Sequence, residues 1–146
     1  MAEIIGYTTG VFDLFHIGHL NILKSAKNMC NKLIVGITYD ELVYERKNKY
    51  PIIPFIERVE IVKAIRYFDE IVLQHSMDKI GAWEKLKFNI MFVGDDWRGD
   101  SLFESVERSL KEFGARVEYF EYTKSVSSTK FTEILQEIYD TESKVR

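Results

Sequence analysis

The run Lys32–Thr38, KLIVGIT, is apolar on both of its alternating faces. A strand with one wet face alternates apolar with polar residues, so a continuous run is expected of a parallel strand covered by helices on both sides. The neighbouring segments agree. Glu3–Thr9 is short, apolar and β-branched and ends at Gly10, as a buried strand does. Gly18–Cys30 carries Leu20, Leu23, Ala26 or Met29, and Cys30 at close to helical spacing. The chain therefore opens with a βαβ unit.

Asp40–Lys49, DELVYERKNK, is polar and basic and is closed off by Pro51 and Pro54, which predicts a loop or a partly ordered flap. Phe55–Arg66 sets Ile56, Val59, Val62 and Ile65 on one face and predicts a helix, followed by a third strand over Glu70–Leu73. A helix over Met77–Leu86 and a fourth strand over Asn89–Val93 come next, the strand ending at Gly94. Leu102–Phe113 is a helix stopped by Gly114, Arg116–Phe120 a fifth strand and Phe131–Tyr139 a last helix, with residues 140–146 expected to fray. The alternation predicts an α/β fold. It is one domain over residues 1–146, built on an open parallel five-stranded sheet with right-handed crossovers and helices on both faces.

In such a sheet ligands bind beyond the carboxyl ends of the strands, where strand order reverses. GVFDLFHIGH follows the first strand, GDDWRGD the fourth and YTKSVSST the fifth, so the irregular, polar, glycine-containing segments converge on one edge. At the first of them His16 and His19 stand three apart at a strand-to-helix junction, between Gly10 and Gly18. Backbone amides and the helix dipole favour an anion there, and imidazoles can donate to charge building on phosphate oxygens. A lone histidine would read as a surface or satisfied core residue; the pair, its spacing and its junction point to function.

The other candidates carry two readings each. Asp95 and Asp96 could bind Mg²⁺ through water, contact a ribose or cap a turn, and Trp97 could pack on a base or fill the core edge. Ser127, Ser128 and Thr129 precede the last helix, where capping and phosphate binding are compatible roles. Arg46, Lys47 and Lys49 could fold over a triphosphate or form a solvated basic loop. Arg58 and Arg66 lie eight apart, near one helix face. Arginine suits bidentate phosphate binding, yet spacing alone favours an exposed face pairing with Glu57, Glu60 or Asp69.

Composition removes other classes. The formal net charge is −3 with basic and acidic residues interspersed, so no nucleic-acid polymer is expected as partner. The single cysteine, Cys30, excludes an intrachain disulfide and a cysteine-based metal site, and reads as a small hydrophobe near a helix end. Zinc would need a third ligand; His75, the remaining histidine, reads as a strand-end surface residue, and no residue is assigned as a protein metal ligand. No signal-like N-terminus and no apolar run of about 20 residues occurs, which leads to the expectation of a cytoplasmic protein without a membrane contact.

GVFDLFHIGH, RYFDEIV (Arg66–Val72), GDDW (Gly94–Trp97) and SST (Ser127–Thr129) together resemble the cytidylyltransferase family, closest to its bacterial glycerol-3-phosphate members and more distantly to the phosphocholine and phosphoethanolamine ones. The resemblance runs from about Ile4 to Phe131 and implies a Rossmann-like nucleotidyltransferase fold. It implies that a small phosphorylated alcohol attacks the α-phosphorus of CTP in line, with Mg²⁺ assistance, giving a CDP-alcohol and pyrophosphate. His16, His19, Arg66 and Lys47 or Lys49 would then act on the reacting phosphates. Thr9, Gly10, Val11, Phe12 and Gly18 would line the CTP phosphates, while Asp95, Asp96, Trp97, Tyr122, Thr123, Val126, Ser127, Ser128 and Thr129 would surround the nucleotide. Arg46, Lys79 and Asp13 are the candidates for the acceptor, and a homodimer is expected because relatives are commonly dimeric. The family signature RTEGIST is replaced here by Tyr122, Thr123, Lys124, Ser125, Val126, Ser127 and Ser128. Tyr122 could still stack on a base. That change keeps two other readings open: an adenylyltransferase of the same fold using ATP on a heptose phosphate, pantetheine phosphate or flavin mononucleotide, and a nucleotide-binding regulatory domain without turnover.

Overall fold

A computed structural model describes residues 3–121 and 128–145, without the side chains of residues 96, 128, 129 and 143–145. The chain alternates β1 (Ile5–Gly10), α1 (Ile17–Asn28), β2 (Lys32–Thr38), α2 (Asp40–Lys47), α3 (Phe55–Lys63), β3 (Glu70–Gln74), α4 (Lys79–Leu86), β4 (Ile90–Gly94), α5 (Ser101–Glu112), β5 (Arg116–Phe120) and α6 (Ser128–Val145). The strands form one sheet in the order β3-β2-β1-β4-β5, and every neighbouring pair is parallel. The chain steps outward from β1 through β2 to β3, then crosses to the other side of β1 for β4 and β5. Strand order thus reverses between β1 and β4, and the crevice above their carboxyl ends is where such a sheet receives a ligand.

Strand alternation divides the core in two. Leu33, Val35 and Ile37 of β2 join Leu23 and Ala26 of α1 and Val62 of α3 on one face of the sheet. Ile34 faces the other way with Tyr7, Met91, Phe103 and Leu110, where α4 and α5 cover the sheet. Side chains this deeply buried contribute about 1.5–3 kcal/mol each, so both layers hold β1 and β4 rigidly beneath the crevice. Tight packing also explains Gly6 in β1: a Cβ there would come within 2.6 Å of the Phe92 ring and 2.8 Å of the Cys30 sulfur.

Three segments depart from the sequence expectations. Asp40–Lys47 is helical rather than a loop: only Leu42 and Val43 turn inward, so the segment lacks a helical stripe. What supports it is charge order, with Asp40 and Glu41 in the first turn and Arg46 and Lys47 in the last, matching the dipole. In and just after α3, Val59, Val62 and Ile65 face the core as expected, but Ile56 is among the most exposed apolar side chains and the fully buried Arg58 joins the inward face. The last helix continues through residues 140–145, as its apolar spacing persists through Ile138 and Tyr139. Among the described residues no helix is long and apolar enough to cross a membrane.

Candidate active site

The loop from Val11 to Phe15 leaves β1 and turns sharply into α1. Phe12 and Leu14 adopt positive φ (55° and 49°) with Asp13 between them outside that region. Such alternation of hand turns successive amides toward a common side, the geometry of an anion nest. The strain of two non-glycine residues in this conformation is supported by packing, since the Phe12 side chain is buried in the core. Asp13, buried, accepts from the amides of Ile52 (2.8 Å) and Ile53 (2.9 Å), tying the α2–α3 connection to this loop. The structure therefore gives Asp13 a loop-holding role.

The histidines are built into the start of α1. His16 is the N-cap, in extended conformation, and its Nδ1 accepts from Gly18 N–H at 3.0 Å. His19, at the third helical position, accepts the His16 N–H at its own Nδ1 at 3.2 Å. This is a capping box made of two imidazoles in place of the usual hydroxyl and carboxylate. The rings stack at 3.9 Å, with the His19 ring also against Phe12 and Phe15 and His16 against Phe131 of α6. Burial holds both imidazoles below their ordinary pKa, His19 down to about 3 with help from the neighbouring His16. Both rings are therefore neutral near pH 7. Because each Nδ1 accepts from an amide, its proton sits on Nε2, leaving that atom as a hydrogen-bond donor. No acidic residue occupies the first turn of α1, so the positive end of the dipole is left for a bound anion.

A second group of cations stands beside this loop. Lys79, at the start of α4, is nearly buried, and its ammonium donates to Thr9 Oγ1 of β1 at 3.2 Å. Burial, then the charge of Arg46, lowers its pKa to about 8. Arg46 reaches from α2 to lie over the Trp97 ring, 5.4 Å from its centroid. Trp97 ends the 3₁₀ turn Asp95–Trp97 that follows β4 and packs on Phe103. Two neighbouring cations, one desolvated and neither in an ion pair among the described residues, form a favourable place for a dianion.

The sequence candidates thus separate. His16, His19, Thr9, Gly10, Val11, Phe12, Gly18, Lys79, Arg46 and Trp97 gather around the switch point. Asp95 is turned into a local pair with Arg98 at 3.0 Å, while Asp96 lies in the same turn. Lys47 closes α2 on the exposed side. Arg66 is not brought here: it precedes β3, whose entry is fixed at the amino edge by Asp69 and Leu33 (2.9 Å and 2.7 Å), so it lies at the opposite end of the sheet. Ser128 and Thr129 begin α6; Tyr122, Thr123, Val126 and Ser127 lie outside the described residues. His75 is exposed just beyond β3. Among the described residues no group of three or more His, Cys, Asp or Glu could cage a metal. Among the described residues the carboxylates of Asp13, Asp40 and Asp95 are engaged with protein partners; the Asp96 side chain lies outside the described residues.

Arg58 is the residue that spacing alone misassigned. It is fully buried, with Nη1 donating to the carbonyls of Val11 (2.6 Å) and Thr38 (2.9 Å), Nε to Ile53 (2.8 Å) and Nη2 to Asp40. Its place three residues after Phe55 and four before Val62, on the inward stripe, was the available signal.

The cytidylyltransferase-like family matches residues 7–134. The FAD synthase of Pyrococcus horikoshii is 38% identical over 139 residues, covering 89% of this chain and 90% of that protein. The glycerol-3-phosphate cytidylyltransferase of Bacillus spizizenii is 33% identical over 131 residues, 89% of this chain and 94% of the relative. Among solved structures, a lipopolysaccharide core biosynthesis protein from Thermoplasma volcanium superposes with a TM-score of 0.69 at 24% identity, over 84% of this chain and 98% of that one.

Proposed function

The chain belongs to the cytidylyltransferase-like family and is a nucleotidyltransferase; from that premise we propose that it transfers CMP from CTP to a small phosphorylated alcohol of the glycerol-phosphate or amino-alcohol-phosphate type. The observation that carries the transfer is the pair of neutral imidazoles closing α1 at the β1–β4 switch point, with Nε2 left as donor. In the reaction a phosphate oxygen of the acceptor forms a bond to the α-phosphorus as the bond to the β-phosphate bridging oxygen breaks, and pyrophosphate leaves. His16 and His19 donate to the charge that collects on the phosphates, and the nest at Phe12–Leu14 and the α1 N-terminus hold them in place. Lys79 and Arg46 hold the acceptor phosphate beside Thr9. Mg²⁺ would arrive bound to the nucleotide phosphates and supply countercharge there.

The second reading is transfer of AMP from ATP to flavin mononucleotide, favoured by the identity to FAD synthase, higher than that to the cytidylyltransferase. The substituted segment at Tyr122–Ser128 is where the two enzymes would differ. Pyrophosphate release, measured with each nucleoside triphosphate against glycerol 3-phosphate, phosphocholine, phosphoethanolamine and flavin mononucleotide, separates them. Turnover with CTP and a phospho-alcohol is the expected result; turnover only with ATP and flavin mononucleotide replaces the first reading by the second.

A further inference from the structure

We infer that Arg58, although buried away from any ligand, is a positioning residue that aims the Phe12 amide at the nucleotide phosphates; this rests on the nucleotidyltransferase reading of the site. The Val11–Phe12 peptide is trans and planar, so its N–H points opposite its C=O. Arg58 Nη1 grips that C=O at 2.6 Å from the α3 side. The N–H is thereby turned away from the buried guanidinium, and among the described residues it has no hydrogen-bond acceptor. Phe12 is at φ 55° and Leu14 at 49°, so this amide is the first of the nest. A donor held in strained backbone with no partner among the described residues is what a phosphate site requires.

The same guanidinium reaches three other segments. Nη1 also binds the last carbonyl of β2, Thr38, while Nε binds Ile53 and Nη2 binds Asp40, the first residue of α2. Asp40 in turn accepts Phe55 N–H at 3.2 Å. One planar fork thus registers the phosphate loop against the helix that presents Arg46. A lysine, whose three donors sit on one compact nitrogen, cannot span these four acceptors, which the fork meets from three separate nitrogens.

The test uses the whole protein labelled with ¹⁵N-phenylalanine, which gives ten amide signals, Phe12 identified by its loss in Phe12→Leu. Inorganic pyrophosphate, CTP and ATP are titrated into the wild type and Arg58→Lys. The wild-type Phe12 amide proton should move strongly downfield on binding. In Arg58→Lys that movement should be lost and pyrophosphate affinity should fall by about tenfold or more, the scale of one hydrogen bond to a charged group. A merely structural role would lower the melting temperature and leave the Phe12 response of the folded fraction intact, which overturns the inference. Asp40→Asn keeps the guanidinium and loosens one tether, so it should weaken pyrophosphate binding in the same direction by a smaller factor even if Arg58→Lys does not fold. An unchanged affinity in that variant counts against the idea. Wild-type binding that shifts other phenylalanine amides and not Phe12 overturns this inference alone, whereas no binding of pyrophosphate or either nucleotide overturns the functional reading with it.

Discussion

His19→Gln isolates the cost of keeping an imidazole neutral inside the capping box. An unfolded chain protonates histidine near pH 6.5, while folded His19 resists until about 3. Between those values the unfolded state binds the extra proton, so stability is complete above pH 6.5 and is lost as the pH falls toward 3. At pH 4 the difference reaches about 3 kcal/mol, from ~1.36 kcal/mol per unit over ~2.5 units, and about 2 kcal/mol after discounting for the part of the ring that water reaches. Glutamine is the ordinary partner at this helical position and can still accept His16 N–H, so the variant removes the titration without removing the cap. Asp69, the carboxylate whose pKa is lowered, gives up its stabilisation only below 3.8 and affects both proteins equally. Urea unfolding followed by tryptophan fluorescence at pH 7 and pH 4 should show the wild type losing about 2 kcal/mol more than His19→Gln. Equal losses would refute the neutral, desolvated state assigned to His19, and with it the fixed Nε2–H donor.

Replacing either imidazole by alanine should lower kcat by about 10² or more, the cost of one preorganised donor, in a steady-state pyrophosphate-release assay; near wild-type rates in a folded His19→Ala protein would remove the ring from the chemistry. Lys79→Met removes a buried ammonium, so urea midpoints at pH 7 should hold or rise while the acceptor KM increases at least about tenfold. In the wild type the acceptor KM should climb as pH passes about 8, where Lys79 loses its proton. Stability attributable to that lysine should increase over the same upward range to 10.5, since there the unfolded chain holds the proton that the folded one has released. Gly6→Ala forces a methyl against Phe92 and Cys30 and should cost about 1–3 kcal/mol by thermal or urea denaturation.

The sheet was legible because β2 is apolar on both faces and strand and helix patterns alternate along the chain, and the convergence of GVFDLFHIGH and GDDW followed from parallel topology alone. The histidine pair was legible as a feature of the first strand-to-helix junction, but its capping role was not: it depends on which nitrogen meets which amide. The segment 40–47 escaped because Leu42 and Val43 are adjacent rather than a turn apart, leaving charge order as the sole helical cue. Arg58 escaped for a related reason. Ile56, Val59, Val62 and Ile65 offered a plausible stripe; the actual one keeps the last three and adds a fully buried cation, which becomes acceptable only once three main-chain carbonyls and a carboxylate surround it. Where Arg66 falls was not legible because it depends on where α3 ends, at Lys63, and on the turn that leads from there into the amino end of β3.

The placement of β1 between β2 and β4 carries a kinetic consequence. β1, β2 and their intervening helix are close in sequence and can pair early, whereas β1 meets β4 across about 84 residues, as in the Thr8 Oγ1 bond to the Phe92 carbonyl. Closing that long loop is the slow, entropically expensive step of such a topology. The two walls of the crevice therefore come together only when the sheet is complete. During refolding, nucleotide binding should appear with the last phase rather than the first, making substrate a ligand of the finished sheet and of nothing earlier.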